Sequence, residues 1–176
     1  MAEHFDIAII GGGIVGASVA HALAGRRSVV ILEQESALGY HATGRSAAEF
    51  TYRFHSPMVG KLTAASANFM HSPPDGFTDV ALLRARGNLL IANAEKKQRL
   101  VHVLAEEQAA SPAVGASPVE ELTVAQAVEK VPFLDPAYVA AAFYDPDCWD
   151  VEVESLLQGY AKSARRRGAE FLRETR

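Results

Sequence analysis

The chain has 176 residues, 49% of them hydrophobic, and 17 basic against 21 acidic side chains for a formal net charge of −4. That length and apolar content suffice for an ordinary domain with a filled core and exclude wholesale disorder. Basic and acidic residues are interspersed, which excludes an electrostatic footprint for nucleic acid or an anionic membrane, and a single cysteine, Cys148, excludes an internal disulfide.

With no basic region followed by an apolar stretch at the N-terminus, neither a signal nor a membrane span is expected, and the lone thiol fits a cytoplasmic protein. The six histidines (His4, His21, His41, His55, His71, His102) lack the close His/Cys pairings of a zinc site, so no metal is expected.

Residues 5–10 are an apolar run ending in glycines, which predicts a strand buried on both faces. Residues 14–24 are small or apolar at helical spacing (Val15, Val19, Ala20, Leu23), with Gly25, Arg26 and Arg27 as the stop. Residues 28–33, SVVILE, predict a second strand. The segment GYHATGRSAAEF (39–50) is rich in small residues and predicts a loop entering a short helix. Ser56 and Pro57 read as the N-cap and first residue of a helix to about residue 69, with Val59, Leu62 and Phe69 on its buried side, and SPPDG (72–76) breaks it.

Residues 89–92 predict a strand and 94–108 an amphipathic helix with a solvated charged face. A surface connection rich in Ser, Pro and Gly spans 111–120. Thr123 caps a short helix through Lys130 that Pro132 ends; a strand at 139–144, a helix at 151–167 and a strand at 169–172 complete the order. There is no internal repeat.

The strongest functional signal is Gly11-x-Gly13-x-x-Gly16, placed between a strand and a helix. Gly11 permits the tight turn, Gly13 lets a pyrophosphate approach the backbone, and Gly16 lets helix and sheet pack closely, so phosphates meet free amides at the positive helix end. Glu33 closes the second strand where an acid binds adenosine ribose hydroxyls and repels a 2′-phosphate. The plainer alternative is a flexible strand-to-helix turn with a solvated strand end. The motif leaves FAD and NAD open, since both carry ADP. A nicotinamide-type domain continues with another helix and third strand at short spacing, whereas here a small-residue loop with Thr43 and Ser46 comes next.

GGGIVGAS, Glu33, GYHATGRSAA, LTAAS (62–66), ALLRARGNLLI and YDPDCWDVEVESLLQGY together resemble the D-amino-acid dehydrogenase and glycine oxidase (DAO) family of FAD enzymes, most closely its D-arginine dehydrogenase branch. The resemblance runs the length of the chain and implies an α/β fold: a Rossmann-like FAD-binding βαβ unit interleaved with an α+β substrate domain, incomplete at the C-terminus. Residues 1–50 would form the βαβ unit and flavin-contacting loop, 51–150 a substrate-domain portion, and 151–176 a helix and strand returning to the FAD domain.

It implies FAD contacts from Gly11, Gly13, Ile14, Val15, Gly16, Glu33 and Gln34, and from Thr43, Arg45, Ser46, Ala47 and Ala48 along the flavin. On residue type alone, Arg45 is more readily a solvated loop cation, and the resemblance is what favours the flavin contact. The family chemistry is hydride transfer from the α-carbon of a neutral amine to flavin, giving an imine that water hydrolyses to a 2-oxo acid and ammonia.

In D-arginine dehydrogenases the positions matching Glu49, Phe54 and Asn88 carry His, Tyr and Glu in the substrate pocket. Neutral Asn88 lacks the charge a guanidinium substrate needs, so a strongly cationic substrate is not expected; Phe54 either packs an apolar substrate or is a core aromatic, and Glu49 adds an acid of unassigned role. Asp145, Asp147 and Asp150 around Cys148 read as a strand-to-helix loop rather than a cation site, and Arg165 to Arg167 as cations at a helix end before Gly168.

Family members are about twice as long, and their second half holds the rest of the FAD sheet and the arginine and tyrosine that grip the substrate carboxylate. The chain is therefore expected to be a truncated N-terminal half with poor turnover alone, its sheet edge covered by a partner chain or by self-association. An NAD-dependent dehydrogenase and an inert nucleotide-binding remnant or interaction module are the alternatives to an FAD-dependent amine or D-amino-acid oxidoreductase.

Overall fold

The computed structural model describes residues 4–53 and 56–175. In chain order its elements are β1 (Ile7–Ile10), α1 (Ile14–Leu23), β2 (Val29–Leu32), β3 (Glu49–Thr51), α2 (Pro57–His71), β4 (Leu83–Ala85), β5 (Asn88–Ala92), α3 (Lys97–Ala110), β6 (Glu120–Leu122), α4 (Val124–Lys130), β7 (Ala141–Asp145), β8 (Cys148–Val151), α5 (Val153–Arg166) and β9 (Glu170–Leu172). Short 3-10 turns occupy Thr43–Arg45 and Ser111–Val114. The chain forms two units, one from Met1–Ala48, His71–Leu82 and Val151–Arg176, the other from Glu49–Met70 and Leu83–Asp150.

In the first unit the β-branched run of β2 is the centre of a parallel sheet ordered β1-β2-β9. Val29, Val30 and Ile31 are buried, each full burial contributing about 1.5–3 kcal/mol. Ala20, Ala24 and Ala164 pack on Val29 and Ile31, with Ile7, Ile9, Leu23 and Phe171 around them. Alanines in α1 and α5 (Ala17, Ala20, Ala161, Ala164) are fully buried, which lets the two helices come close, with the His21 and Tyr160 rings meeting edge-to-face between them.

This arrangement corrects two expectations. Strand β1 is not buried on both faces: its residues alternate, Ile7 and Ile9 packing into the core while Ile10 is 81% exposed, because the packed helices cover one face and side chains alternate along a strand. Along α1 the buried stripe is Gly16, Ala17 and Ala20, with Val15 and Val19 exposed.

The second unit holds two three-stranded sheets. Strand β7 lies between β5 and β6, Asn88 facing Asp145 and Glu120 facing Tyr144, and its Ala142 is buried with Val139 and with Ala127 of α4. Helix α4 starts at a capping box: Thr123 Oγ1 accepts the Gln126 N–H at 3.3 Å while Gln126 Oε1 accepts the Thr123 N–H at 2.8 Å. The other sheet is ordered β3-β8-β4, with Phe50 facing Trp149 and an edge-to-face cluster of Phe50, Tyr52 and Trp149.

Several boundaries move for local reasons. The helix expected from residue 94 begins at Lys97, because Asn93 closes a turn by accepting the Lys96 N–H through both Oδ1 and its carbonyl. In α2, Val59 and Leu62 are exposed and Phe69 half-buried; the packed stripe runs from Gly60 to Met70, since at Gly60 the helix approaches the Tyr52 carbonyl too closely for a side chain. The acidic stretch around Cys148 is not a strand-to-helix loop: β7 ends at Asp145, Asp150 lies within β8, and α5 starts only at Val153. The 111–120 connection contains buried Ser111, a 3-10 turn and the start of β6.

Candidate functional site

Strand β1 is followed by Gly11, whose N–H donates to the Leu32 carbonyl at 2.8 Å and whose φ of +96° suits glycine alone among common residues. The chain then enters α1 through Gly12 and Gly13. A Cβ on Gly16 would stand 2.0 Å from the Gly11 carbonyl oxygen, so the third glycine is required by close approach of helix to strand turn. Gly13 is the N-cap, has ordinary φ and brings no side chain to cap the helix; a Cβ there would press on Thr43 Oγ1 at 3.0 Å. Thr43 reaches across instead, its hydroxyl accepting the Ile14 N–H at 3.0 Å. The Val15 and Gly16 amides lie in the first turn, where a helix offers no carbonyl partner, and no acid stands there to compete with an anion.

Glu33, just beyond β2, turns into this corner and is 7% exposed. Its Oε2 accepts the Gly12 N–H at 2.7 Å and its Oε1 the Glu35 N–H at 2.9 Å. Burial pushes the Glu33 carboxyl upward, but the amides of Glu35, Gly12 and Gln34 and the nearby His41 outweigh it and hold the group below the usual range. The backbone at Glu33 is fixed by β9 and the C-terminal residues beyond it: its N–H donates to the Leu172 carbonyl and its carbonyl accepts the Thr175 N–H. Each carboxylate oxygen has a second lone pair, which leaves acceptor capacity for ribose hydroxyls.

The loop from Gly39 to Ala48 folds back on the corner. Gly39 N–H donates to the Gly12 carbonyl, Gly44 N–H to the Gly39 carbonyl, and Ser46 Oγ to the Thr43 carbonyl. Arg45 and Ala47 are exposed, and the Arg45 guanidinium sits 5.6 Å from the Tyr40 ring centroid. Ala48 has φ +54°, a strained value for a residue with a Cβ, and its carbonyl accepts the Val151 N–H at 2.8 Å. Gly11, Gly13, Ile14, Val15, Gly16, Glu33 and Thr43 are thus brought together at one corner. Exposed Gln34 lies beside them, its amide 3.4 Å from Glu35 and His41. Gly12 and Leu38 were missed by sequence reasoning: the Gly12 amide holds Glu33, and a Cβ on Gly12 would collide with Leu38 at 2.4 Å. The GGG triplet was the available signal for Gly12; nothing local marks Leu38.

Glu49 and Asn88 lie in different sheets of the second unit, and Phe54 falls outside the described residues. Glu49 accepts the Cys148 S–H at 3.1 Å and pairs with Arg86 at 3.4 Å, while Arg86 also donates to Cys148 Sγ at 3.1 Å and to Asp150 at 2.9 Å. Burial, reinforced by Glu49, pushes the Cys148 thiol up to about 11, so it stays protonated and unreactive at neutral pH. Asp145 is committed to Arg53, and Asp147 accepts the Ser117 N–H. Among the described residues no cluster of His, Cys, Asp and Glu could hold a metal, and no helix is long and apolar enough to cross a membrane. Two cavities, each of about 610 Å³, are lined by none of the expected cofactor residues.

Residues 6–176 match the sequence profile of the family described as DAO, FAD dependent oxidoreductase. A curated glycine oxidase from Geobacillus kaustophilus is 29% identical over 182 residues, covering 96% of this chain and 46% of that protein. The crystal structure of glycine oxidase from that organism superposes with a TM-score of 0.77 at 26% identity, covering 98% of this chain and 47% of the other. An L-alpha-glycerophosphate oxidase from Mycoplasma pneumoniae with FAD bound shares the fold at TM-score 0.81 and 16% identity, over 98% of this chain and 45% of the other. The chain therefore spans about half the length of the relatives it matches.

Proposed function

The chain belongs to the DAO family of FAD-dependent oxidoreductases, and from that premise we propose that it forms the cofactor corner and part of the substrate domain of an enzyme oxidising an amine or amino acid. FAD is the cofactor of this family, which sets aside the nicotinamide dinucleotide the glycine motif alone left open. The single observation that carries the proposal is the buried, ionised Glu33 folded against the Gly12 amide beside an N-cap without a side chain. Negative phosphate meets the amides of the α1 first turn, and the ribose meets Glu33.

Gly11, Gly13 and Gly16 would hold the pyrophosphate, with Ile14, Val15 and Gln34 alongside, and the Thr43, Arg45, Ser46, Ala47 and Ala48 segment would run past the flavin. When bound, FAD supplies the acceptor for a hydride from a CH–NH2 or CH–NH donor. The chain's own part is to orient: Thr43 takes the Ile14 amide and fixes the loop to the helix start, and the backbone-held Glu33 presents a negative group unsuited to a 2′-phosphate. A strongly cationic amino acid is a poor fit, since Asn88 is neutral and the Glu49 charge is met by Arg86. A D-amino acid with a neutral side chain is the proposed donor.

The test is reconstitution of the 176-residue chain with FAD, followed by visible absorbance and anaerobic addition of neutral and cationic D-amino acids. Bound FAD whose affinity falls about tenfold or more in Glu33→Ala supports the corner. Equal FAD affinity in wild type, Glu33→Ala and Gly13→Val removes it, and bound FAD that no amine bleaches leaves a nucleotide-binding module without turnover of its own.

A further inference from the structure

Between α2 and β4 the chain passes through the first unit as an irregular strap, residues 72–82. Its anchor is Phe77, which is 6% exposed. A Cβ on Gly159 of α5 would stand 2.4 Å from Phe77 Cε1, so the glycine leaves a notch that the ring fills. Two further rings wall the notch edge-to-face: Tyr160, its centroid 5.1 Å from that of Phe77, and His21 of α1, 6.1 Å from Phe77 and 5.2 Å from Tyr160. Arg166 Nη1 donates to the Gly76 carbonyl at 3.2 Å and ties the strap backbone to α5 as well.

The Arg167 guanidinium rests against the His21 imidazole, Nη2 lying 2.6 Å from Nδ1 and 3.3 Å from Nε2. Arginine stays charged and has no lone pair to offer, so it tolerates the neutral ring and opposes the imidazolium. The other groups facing His21 bring no counter-charge. From α5 comes the Tyr160 phenol, whose ionisation burial pushes upward; from the strap comes Phe77, flanked by the exposed Asp75 and Asp79; and α1 itself carries no acid. The negative end of α1 favours a cation in its last turn, but burial and the Arg167 charge outweigh it and hold the His21 imidazole below its ordinary value.

We propose that His21 is a protonation-sensitive latch for the strap: neutral, it walls the Phe77 notch against Arg167, and as the imidazolium it is driven from Arg167 toward water and leaves Phe77 unseated. Because the fold favours the neutral ring, the seat is complete above the ordinary histidine range and is lost as pH falls through the lower folded-state value. Glu33 and the glycine corner take no part, so the latch stands or falls independently of the cofactor assignment.

The experiment is NMR titration of the full 176-residue chain from about pH 7.5 to about pH 5, following the His21 imidazole and the exchange protection of the Phe77 amide, which donates to the Pro74 carbonyl at 3.0 Å. The His21 midpoint is expected below the ordinary histidine value, with Phe77 protection, corrected for intrinsic exchange, falling about tenfold or more across that midpoint. His21→Gln, which gives Arg167 a neutral acceptor, should keep the protection level throughout. Arg167→Met should raise the His21 midpoint and reduce the fall in protection. Gly159→Ala, which fills the notch, should remove the protection at every pH while thermal unfolding stays cooperative. A wild-type midpoint at or above the ordinary value, Phe77 protection that stays level while His21 titrates, or the same fall in His21→Gln would each overturn the latch.

Discussion

Glu33 and Glu49 are both carboxylates at strand ends, one in each unit, and they are held in opposite ways. Glu33 is gripped by backbone amides, from Gly12 and Glu35, that exist whatever side chains surround them. Glu49 is gripped by the side chains of Cys148 and Arg86, distant in sequence, and shares Arg86 with Asp150. A carboxylate fixed by main chain keeps its orientation and charge through sequence drift and suits a cofactor that does not change. One fixed by side chains can be rewired by single substitutions.

The most severe way to break the first arrangement is Gly16→Val. The Gly11 carbonyl oxygen lies 2.0 Å from the added Cβ, so we expect a loss of about 3 kcal/mol or more in denaturant unfolding, with FAD binding lost as well. Glu33→Gln should cost about 2 kcal/mol, since a buried charge-assisted acceptor is replaced by an amide that offers one oxygen for two N–H donors. The pH dependence has a defined sign. The folded-state pKa is lowered, so the stabilisation is present above the unfolded carboxyl value and lost as pH falls through the folded one. Acid unfolding profiles should show wild type losing its advantage over Glu33→Gln below the ordinary carboxylate range; parallel curves at all pH values would refute the linkage.

The side-chain arrangement should yield less. Arg86→Met leaves Glu49, Asp150 and the Cys148 thiol without their shared donor, but Arg86 and its two carboxylate partners are partly exposed, and solvent screening limits the loss to about 1 kcal/mol, shrinking further in high salt. FAD affinity should not change. Smallest and of opposite sign, Ala48→Gly removes the cost of a Cβ at φ +54°, which outweighs the added unfolded-state entropy for a net gain of up to about 1 kcal/mol in thermal unfolding; a loss would show that the Ala48 methyl makes a contact worth more than the strain.

The same contrast decides what was legible in the sequence. The strand, glycine turn, helix, strand and acid of the first unit are local signals, and they place Gly11, Gly13, Gly16 and Glu33 at one corner. Thr123 and Gln126 announce α4 for the same reason. Strands β3, β4, β6 and β8 were not legible, because each has three or four residues of mixed polarity, as in Leu83-Arg84-Ala85 or Glu120-Glu121-Leu122, and exists only through its neighbour in the sheet. The exposed face of α2 was misassigned because Gly60, not the leucine, meets the Tyr52 backbone. The partners of Glu49 lie 37 and 99 residues away, beyond the reach of any periodicity.

Strand β9 has a consequence for biogenesis. It adds the third strand of the first unit's sheet by pairing with β2, although about 140 residues of chain separate Val30 from Glu170. As the polypeptide leaves the ribosome, the glycine turn and the alanine stripe of α1 emerge early and must wait for α5 and β9, while the intervening segment is already able to close on itself. Pulse-labelled amide exchange during refolding should accordingly protect β5 and β7 before β2, so the nucleotide corner, first to be synthesised, would be among the last parts to become firm.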